Sequence, residues 1–386
     1  MLSVDEALSL LLREARVVTE TETVATLGAT GRVLAAAQSS TLDVPPMDNS
    51  AMDGYAIRVA DATPGPVRLR IAQRIAAGDL PQPLAVGTAA RSFAGAPIPA
   101  GADAIVMQEF CTVEGDDVLI GAPPRVGHWI RKRSEDIQKG GVILQAGRKL
   151  QPQDIGLAAS VGLKALPVLR RLKVAMFFTG SELVMPGDPL PEGAIYNSNR
   201  FTLTGLLQRL GCEVRDLGIV PDNLEATRAA FREAAIDSDL IITSGGMSVG
   251  EEDHVKPAVE AEGRLDMWRI AMKPGKPLAF GFLRKTQGEA AFIGLPGNPV
   301  STFICFLIFV RPYILRAQGV QHIAPLAFNL PADFDWPQPD TRREFLRARI
   351  NAQGRVELFP NQGSAVLSSC VWADGMIDNP PKQPIA

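Results

Sequence analysis

Between residues 169 and 320 the chain alternates apolar runs with amphipathic stretches, and this alternation leaves few folds open. Residues 173–178, 214–220, 239–242, 278–282 and 290–293 have the length and apolar character of buried strands. Helical patterns at 200–210, 224–235, 255–262 and 299–315 fall between or after them. Such alternation predicts an α/β domain built on a parallel sheet, with helices covering both faces.

In open α/β sheets, ligands bind outside the carboxyl ends of the strands. Here the polar and glycine-rich segments fall at those ends. Thr179-Gly180-Ser181-Glu182 follows the first strand and Pro221-Asp222-Asn223 the second. The run TSGGMSVGEED, Thr243 to Asp253, follows the third. After the last comes Gly294-Leu295-Pro296-Gly297-Asn298-Pro299, where Asn298 suits a helix N-cap and Pro299 the first helical position. Gly245 and Gly246 let backbone N–H groups approach an anion, and a helix N-terminus favours negative charge. Glu251, Glu252 and Asp253 offer the hard oxygens that Mg²⁺ takes beside phosphates. A glycine turn followed by a helix cap also accounts for this run without a ligand.

Glu182, Asp222 and Asp253 would converge on one sheet edge if their strands are neighbours. Two unit charges about 4 Å apart repel by about 4 kcal/mol at an effective dielectric of ~20, so carboxylates facing a phosphate call for a divalent cation. Lys273 and Lys276, in Met272-Lys273-Pro274-Gly275-Lys276-Pro277, put two point charges suited to phosphate on a turn stiffened by prolines. A solvated basic turn is the alternative. Upstream, Pro45-Pro46-Met47-Asp48-Asn49-Ser50-Ala51-Met52-Asp53-Gly54-Tyr55 reads as a turn offering carboxylates, or as an Asx-turn before a strand. His254 suits acid–base work or a plain helix start.

The formal net charge of −3 argues against a general nucleic-acid binder, so an anionic substrate must be attracted locally. Local motifs such as G-x-S-x-G suggest no Ser/His/Asp or Cys/His arrangement, and no G-x-G-x-x-G follows the first strand, which leaves nucleophilic hydrolysis and nicotinamide chemistry with little support. Four cysteines without C-x-x-C spacing, and three histidines, disfavour structural zinc and predict free, buried thiols in a reducing compartment. The N-terminus reads as an amphipathic helix rather than a signal peptide. The apolar run 300–310, stopped by Arg311, is too short to cross a membrane. A soluble, cytoplasmic protein with no nucleic-acid or membrane partner is expected.

At 386 residues and 46% hydrophobic, the chain can build several cores. Residues 1–44 read as helical and 135–168 as a short apolar run followed by a helix. These two pieces are expected to pack together as a split domain. Residues 45–134, rich in Gly, Pro and short β-type runs, then form an inserted β domain. The α/β domain takes 169–322, and 323–386 forms a small C-terminal β domain.

Together these motifs resemble the molybdopterin molybdenumtransferase family, MoeA of bacteria and the E domain of gephyrin. DNSAMDGYA at 48–56, GAPIPAGADAIVMQE at 95–109, YNSNR at 196–200, SGGMSVGEED at 244–253, KPGKP at 273–277, GLPGNPVS at 294–301 and QGS at 362–364 occur in the family's order and span nearly the whole chain. The resemblance implies an α/β plus β multidomain fold: a MogA-like three-layer α/β domain, a split elongated domain, an inserted β domain and a C-terminal β-barrel-like domain. It further implies a homodimer whose active site lies between the α/β domain of one subunit and the inserted and C-terminal domains of the other. The implied reaction takes adenylyl-molybdopterin, releases AMP and inserts molybdate with Mg²⁺. A molybdopterin adenylyltransferase and acceptor molybdoenzymes are the implied partners.

By resemblance the catalytic positions are Asp53, Glu182, Asp222, Asp253, Lys273 and Lys276. Glu182, Asp222 and Asp253 also serve as metal ligands. The implied binding positions are Gly245, Gly246, Ser248 and Gly250 in the glycine motif, and Pro296, Gly297 and Asn298 in the last loop. The C-terminal domain supplies Ser364 and an arginine, Arg343 or Arg347, with Arg347 chosen. One departure is Ala94-Gly95-Ala96-Pro97, where relatives often carry Thr-Gly-Ala-Pro. Two rival readings share the fold: adenylyl transfer from ATP to molybdopterin, and a gephyrin-like scaffold with weakened catalysis.

Overall fold

A computed structural model describes residues 1–62, 64–246 and 254–386 of the chain. The region after residue 169 forms β1 (Lys173–Thr179), α1 (Ser198–Leu210), β2 (Glu213–Val220), α2 (Leu224–Ala235) and β3 (Leu240–Ser244). Then follow α3 (Val255–Glu262), β4 (Gly263–Arg269), β5 (Pro277–Arg284), β6 (Glu289–Leu295) and α4 (Pro299–Cys305). These strands make one six-stranded sheet in the order β2-β1-β3-β6-β5-β4.

Only part of this sheet is parallel. β2, β1, β3 and β6 run together, whereas β5 is antiparallel to both β6 and β4. An all-parallel sheet was the expectation, and β4 was not expected at all. The reason lies in the connection between β5 and β6. Lys285 to Gly288 is a tight turn, closed by the Lys285 N–H donating to the Gly288 carbonyl at 3.1 Å, and a parallel crossover needs about a dozen residues.

The pleat of the sheet sorts its apolar residues to two faces. Met176, Phe178, Ile242 and Ile293 pack with Leu203, Leu207, Ile304 and Phe309 on one side. Ala175, Phe177, Ile241 and Phe292 pack with Phe231 and Val259 on the other. Phe231 meets Phe177 and Phe292 edge-on, with ring centroids 4.9 and 5.2 Å away.

After α4 the chain continues through a π-helical turn, Phe306–Val310, into the helix Arg311–Ala317. Pro312 has no N–H to donate and its ring crowds the preceding carbonyls, so a widened turn just before it relieves the clash. The stretch Pro299–Ala317 is long and apolar enough to cross a membrane, but 72% of it is buried inside this fold as a core helix.

The N-terminal helix Val4–Glu14 starts with a reciprocal capping box between Ser3 and Glu6. The α-helix ends there: residues 15–44, expected as helix, hold the strand Thr21–Ala25, a short 3-10 turn Thr26–Gly28, the strand Gln38–Ser39 and irregular chain, as the alternation in Thr21-Glu22-Thr23-Val24 suits. Val4, Ala7 and Leu11 sit in the core of the α/β unit beside Ile270 and Tyr313, and Leu2 exchanges backbone bonds with Arg269 and Ala271. Thr21–Ala25 instead pairs with Ala165–Leu169, and Gln38–Ser39 with Val142–Leu144, around a separate core of Leu34, Leu150 and Leu166.

Between these partners the chain runs out into a six-stranded sheet that contains Gly54–Ile57, Val67–Ile75 and Ala104–Met107. Gly54 is required there, because a Cβ would lie 2.0 Å from the Val106 carbonyl oxygen. At the C-terminus, Arg343–Ile350 pairs antiparallel with Val356–Leu358 and Gly375–Asn379. The two-residue strand Met272–Lys273 adds to it in parallel, with Met272 opposite Arg343 and Lys273 opposite Glu344. The lysine turn of the α/β unit thus belongs to both sheets.

All four cysteines are free. Cys212 and Cys305 are buried, and burial pushes both thiols up to about 12. Cys111 and Cys370 are only partly covered, against the expectation of four buried thiols: Cys111 opens a largely exposed strand, Cys111–Glu114, and Cys370 lies in the short helix Ser368–Trp372.

Candidate active site

A cavity of about 690 Å³ opens at the carboxyl ends of β1, β2, β3 and β6. Thr179, Gly180 and Glu182 wall it after β1, Asp222 after β2, Gly245 and Gly246 after β3, and Pro296, Gly297 and Asn298 after β6. The whole turn Lys273–Pro277 closes one side, and Arg342, Gln362, Gly363 and Ser364 approach from the C-terminal sheet.

Local geometry explains why glycines recur here. Gly245 has φ +101°, and a Cβ on it would stand 2.7 Å from the Thr179 carbonyl oxygen, so the loops after β1 and β3 touch backbone to backbone. At Gly180 a Cβ would strike the Glu182 carboxylate, 2.6 Å from Oε2. The missing side chain lets that carboxylate fold back over its own turn. Gly275, at φ +105°, seats the lysine turn on α4, because a Cβ would lie 2.5 Å from Cys305 Sγ.

A partly buried polar knot fixes the two glycine-bearing loops relative to each other. Asn199 Nδ2 donates to Ser244 Oγ at 2.9 Å and to the Gly297 carbonyl at 2.8 Å, and Ser244 Oγ donates to the Pro296 carbonyl at 2.9 Å. Asn298 occupies the N-cap position of α4 with Pro299 following, but its side chain makes no capping hydrogen bond and lies exposed at the cavity. Ser364 is held over the same helix start, its carbonyl accepting from the Val300 N–H at 3.0 Å.

Lys276 is exposed to the cavity. Lys273 Nζ lies 3.5 Å from both Asp340 Oδ2 and Glu344 Oε1. Arg342 grips Asp340 with Nε at 3.0 Å from Oδ1 and Nη2 at 2.9 Å from Oδ2. Those Arg342 bonds, with help from Lys273, hold the Asp340 carboxyl well below the usual carboxylate range.

Of the residues singled out in the sequence, Glu182, Asp222, Lys273, Lys276, Gly245, Gly246, Pro296, Gly297, Asn298 and Ser364 share this cavity. Ser248, Gly250 and Asp253, with Glu251 and Glu252, lie outside the described residues.

Three candidate residues, Asp53, Arg347 and Arg343, do not line the cavity. Asp53 is in the inserted sheet region, its Oδ1 accepting from the Ala94 N–H at 2.8 Å, and does not line the cavity. Arg347 is 1% exposed, and its guanidinium is taken up by Ser369 Oγ and the Phe345 and Gly363 carbonyls. Arg343 pairs with Asp378 and Asp5. Strand alternation explains the difference. Arg343–Ile350 turns Arg347 into its own small core, and the arginine that reaches the cavity is Arg342, just before the strand. Arg342 lines the cavity without having been singled out in the sequence, and Asn199 was marked only as part of the YNSNR run. Their signals, the Asn-Ser-Asn repeat and the Arg-Arg pair, do not tell which member faces inward.

Among the described residues, no group of three His, Cys, Asp or Glu is close enough to hold a metal ion. Glu182 and Asp222 nevertheless put two hard oxygen donors at one cavity. That donor set suits Mg²⁺, which binds through one or two carboxylates together with substrate phosphates and waters.

Three family models match successive parts of the chain. They are the MoeA N-terminal region (domain I and II) over residues 2–162, the probable molybdopterin binding domain over 175–316, and the MoeA C-terminal region (domain IV) over 329–386. A molybdopterin molybdenumtransferase from Haemophilus influenzae is 41% identical over 384 residues, covering 98% of this chain and 94% of the relative. Another from Synechococcus elongatus is 38% identical over 387 residues, covering 97% and 95%. The crystal structure of a molybdopterin biosynthesis MoeA protein from Pyrococcus horikoshii matches with a TM-score of 0.83 at 30% identity, over 99% of this chain and 96% of that one. The chain therefore belongs to the molybdopterin molybdenumtransferase family of transferases.

Proposed function

We propose that this protein inserts molybdenum, taken as molybdate, into adenylyl-molybdopterin and releases AMP, with Mg²⁺ as cofactor, in the cytoplasm. The observation that carries this reading is the single cavity in which Glu182, Asp222, Lys273, Lys276 and two glycine-bearing loops meet. Its size is within the range of small-molecule sites, about 300–1,000 Å³.

The glycine loops would receive the pterin phosphate or the nucleotide on backbone N–H groups. Lys273 and Lys276 would neutralise phosphate oxygens, which lowers the cost of gathering a nucleotide diester and molybdate in one place. Glu182 and Asp222, joined by Asp253, would hold Mg²⁺. When bound, the ion polarises the phosphorus centre and offsets repulsion between carboxylates and phosphate. Hydrolysis would add water at a phosphorus of the phosphoanhydride and break its bridging P–O bond, freeing AMP and molybdopterin phosphate; the two dithiolene sulfurs would then bond molybdenum as one molybdate oxygen leaves as water with the two thiol protons.

Asp53 and its Ala94 neighbour stand apart from this cavity in the single chain. A homodimer in which the inserted β region of one subunit closes the cavity of the other would bring Asp53 to the reaction. Passing the substrate in from an adenylyltransferase, and the product on to acceptor molybdoenzymes, fits a site that closes only in the dimer.

Purified protein given adenylyl-molybdopterin, Mg²⁺ and molybdate should release AMP and form molybdenum cofactor, and Asp253→Ala should cut the rate strongly. No AMP above a blank would refute the reading. Incorporation of AMP from ATP into molybdopterin, with no need for molybdate, would replace it with adenylyl transfer.

A further inference from the structure

The entry to the C-terminal strand delivers a compact set of charges to the cavity. Arg342 lines it, and the fork to Asp340 is reinforced by the Arg342 backbone N–H, 3.0 Å from Asp340 Oδ1. One face of the guanidinium is thereby committed to Asp340 while its remaining N–H groups stay available at the cavity. Two residues on, Glu344 is 1% exposed. Its Oε2 accepts from Trp336 Nε1 at 2.9 Å and from the Asp340 N–H at 3.1 Å. Its Oε1 accepts no hydrogen bond among the described residues and faces Lys273 Nζ at 3.5 Å. A buried carboxylate oxygen is costly unless its nearest cation, here Lys273, stays in place, and the Arg342 charge nearby adds to that stabilisation. The strand register that sets Lys273 opposite Glu344 makes this placement part of the backbone design.

We propose that Arg342 contacts the ligand and that Asp340 and Glu344 are positioning residues. Together they hold Arg342 and Lys273 as one anion clamp across the junction of the two sheets, shaped for a phosphate or a tetrahedral oxyanion. The inference rests on the cavity being the anion site proposed above. Neither carboxylate touches the ligand; each acts through the cation it holds.

Calorimetric titration of the full-length protein with AMP, and separately with molybdate, tests the clamp and shows which anion it takes. Arg342→Met is expected to weaken at least one probe about tenfold or more, the loss of a charge-assisted hydrogen bond. Arg342→Lys should not restore wild-type affinity, since an ammonium cannot grip Asp340 by a fork. Glu344→Gln should weaken the same probe in the wild-type background and add nothing in a Lys273→Met background, because its effect passes through that lysine. A merely structural Glu344 would lower Tm and leave the two losses additive, which would overturn its positioning role. If Arg342→Met fails to fold, Arg342→Lys decides, and wild-type affinity for both probes in that variant overturns the clamp. Unchanged binding in the Arg342 variants with binding lost in Lys276→Met overturns the clamp and leaves the anion cavity standing. Unchanged binding in every one of these variants overturns both.

Discussion

At the scale of residues, Glu182, Asp222 and Lys276 were marked by type and spacing and reach the cavity from turns, whereas Lys273 reaches it from the two-residue strand that opens its turn. Arg342 was not legible, since choosing among three arginines within six residues requires the strand's phase. Lys276→Met and Glu182→Gln should each lower the rate of AMP release by about 100-fold, as loss of a charge aimed at the reacting group does, with the far-UV circular dichroism unchanged. Gly275→Ala should cost about 1–3 kcal/mol in urea unfolding, from strain at positive φ and the clash with Cys305 Sγ. Asp340 has a folded pKa below its unfolded one, so its contribution is present above the ordinary aspartate value and is lost as pH falls through the folded value. The stability difference between wild type and Asp340→Asn should therefore be flat from pH 8 to 5 and shrink only below about pH 4. A difference that already declines near pH 6 would point to another group.

At the scale of elements, the strands and helices of the α/β unit lie where their apolar periods put them, apart from β4, which the sequence did not mark. Pairing direction was missed at β5 and β6, although the four residues between them already exclude a parallel link. The N-terminal helix reads correctly to Glu14, but residues 15–44 lack a sustained 3.6-residue period, so extending the helix through them had no physical support. Phe231, wedged edge-on between Phe177 and Phe292, ties α2 to the sheet. Phe231→Ala should destabilise the protein by about 3–5 kcal/mol, read as a lower urea midpoint with an unchanged slope. Thiol reactivity follows the same packing. At pH 8 Cys212 and Cys305, with thiols pushed up to about 12, should stay unmodified by a disulfide reagent until denaturant is added. Rapid modification of either in the native protein would contradict the core described above.

At the scale of the whole molecule, segments far apart in sequence share structural units. Thr21–Ala25 joins Ala165–Leu169, the first helix docks on the α/β core, and the lysine turn adds a strand to the C-terminal sheet. Asp53, carried on the excursion between the first two partners, ends apart from the cavity of its own chain. If a second subunit supplies it, Asp53→Ala and Lys276→Met variants that are each inactive should recover part of the AMP-releasing activity when unfolded and refolded together. Co-refolding forms dimers with one intact composite site. No recovery, or a monomeric mass by analytical ultracentrifugation at the assay concentration, would count against a shared site.

Sequence alone determined what depends on near neighbours in the chain. Apolar period fixed most strands and helices of the α/β unit, glycine and proline marked its loops, and the ordered motifs fixed the family. Tertiary structure decided whatever depends on two segments meeting: the antiparallel half of the sheet, the docking of the first helix, and the arginine that faces the cavity. The physical reason is that a side chain's direction is a local property, whereas its partner is set by packing between distant segments. Lys273 and Glu344 show the difference. Each is legible as a charge in its own motif, but only the parallel pairing of Met272–Lys273 with Arg343–Ile350 makes one the counter-ion of the other.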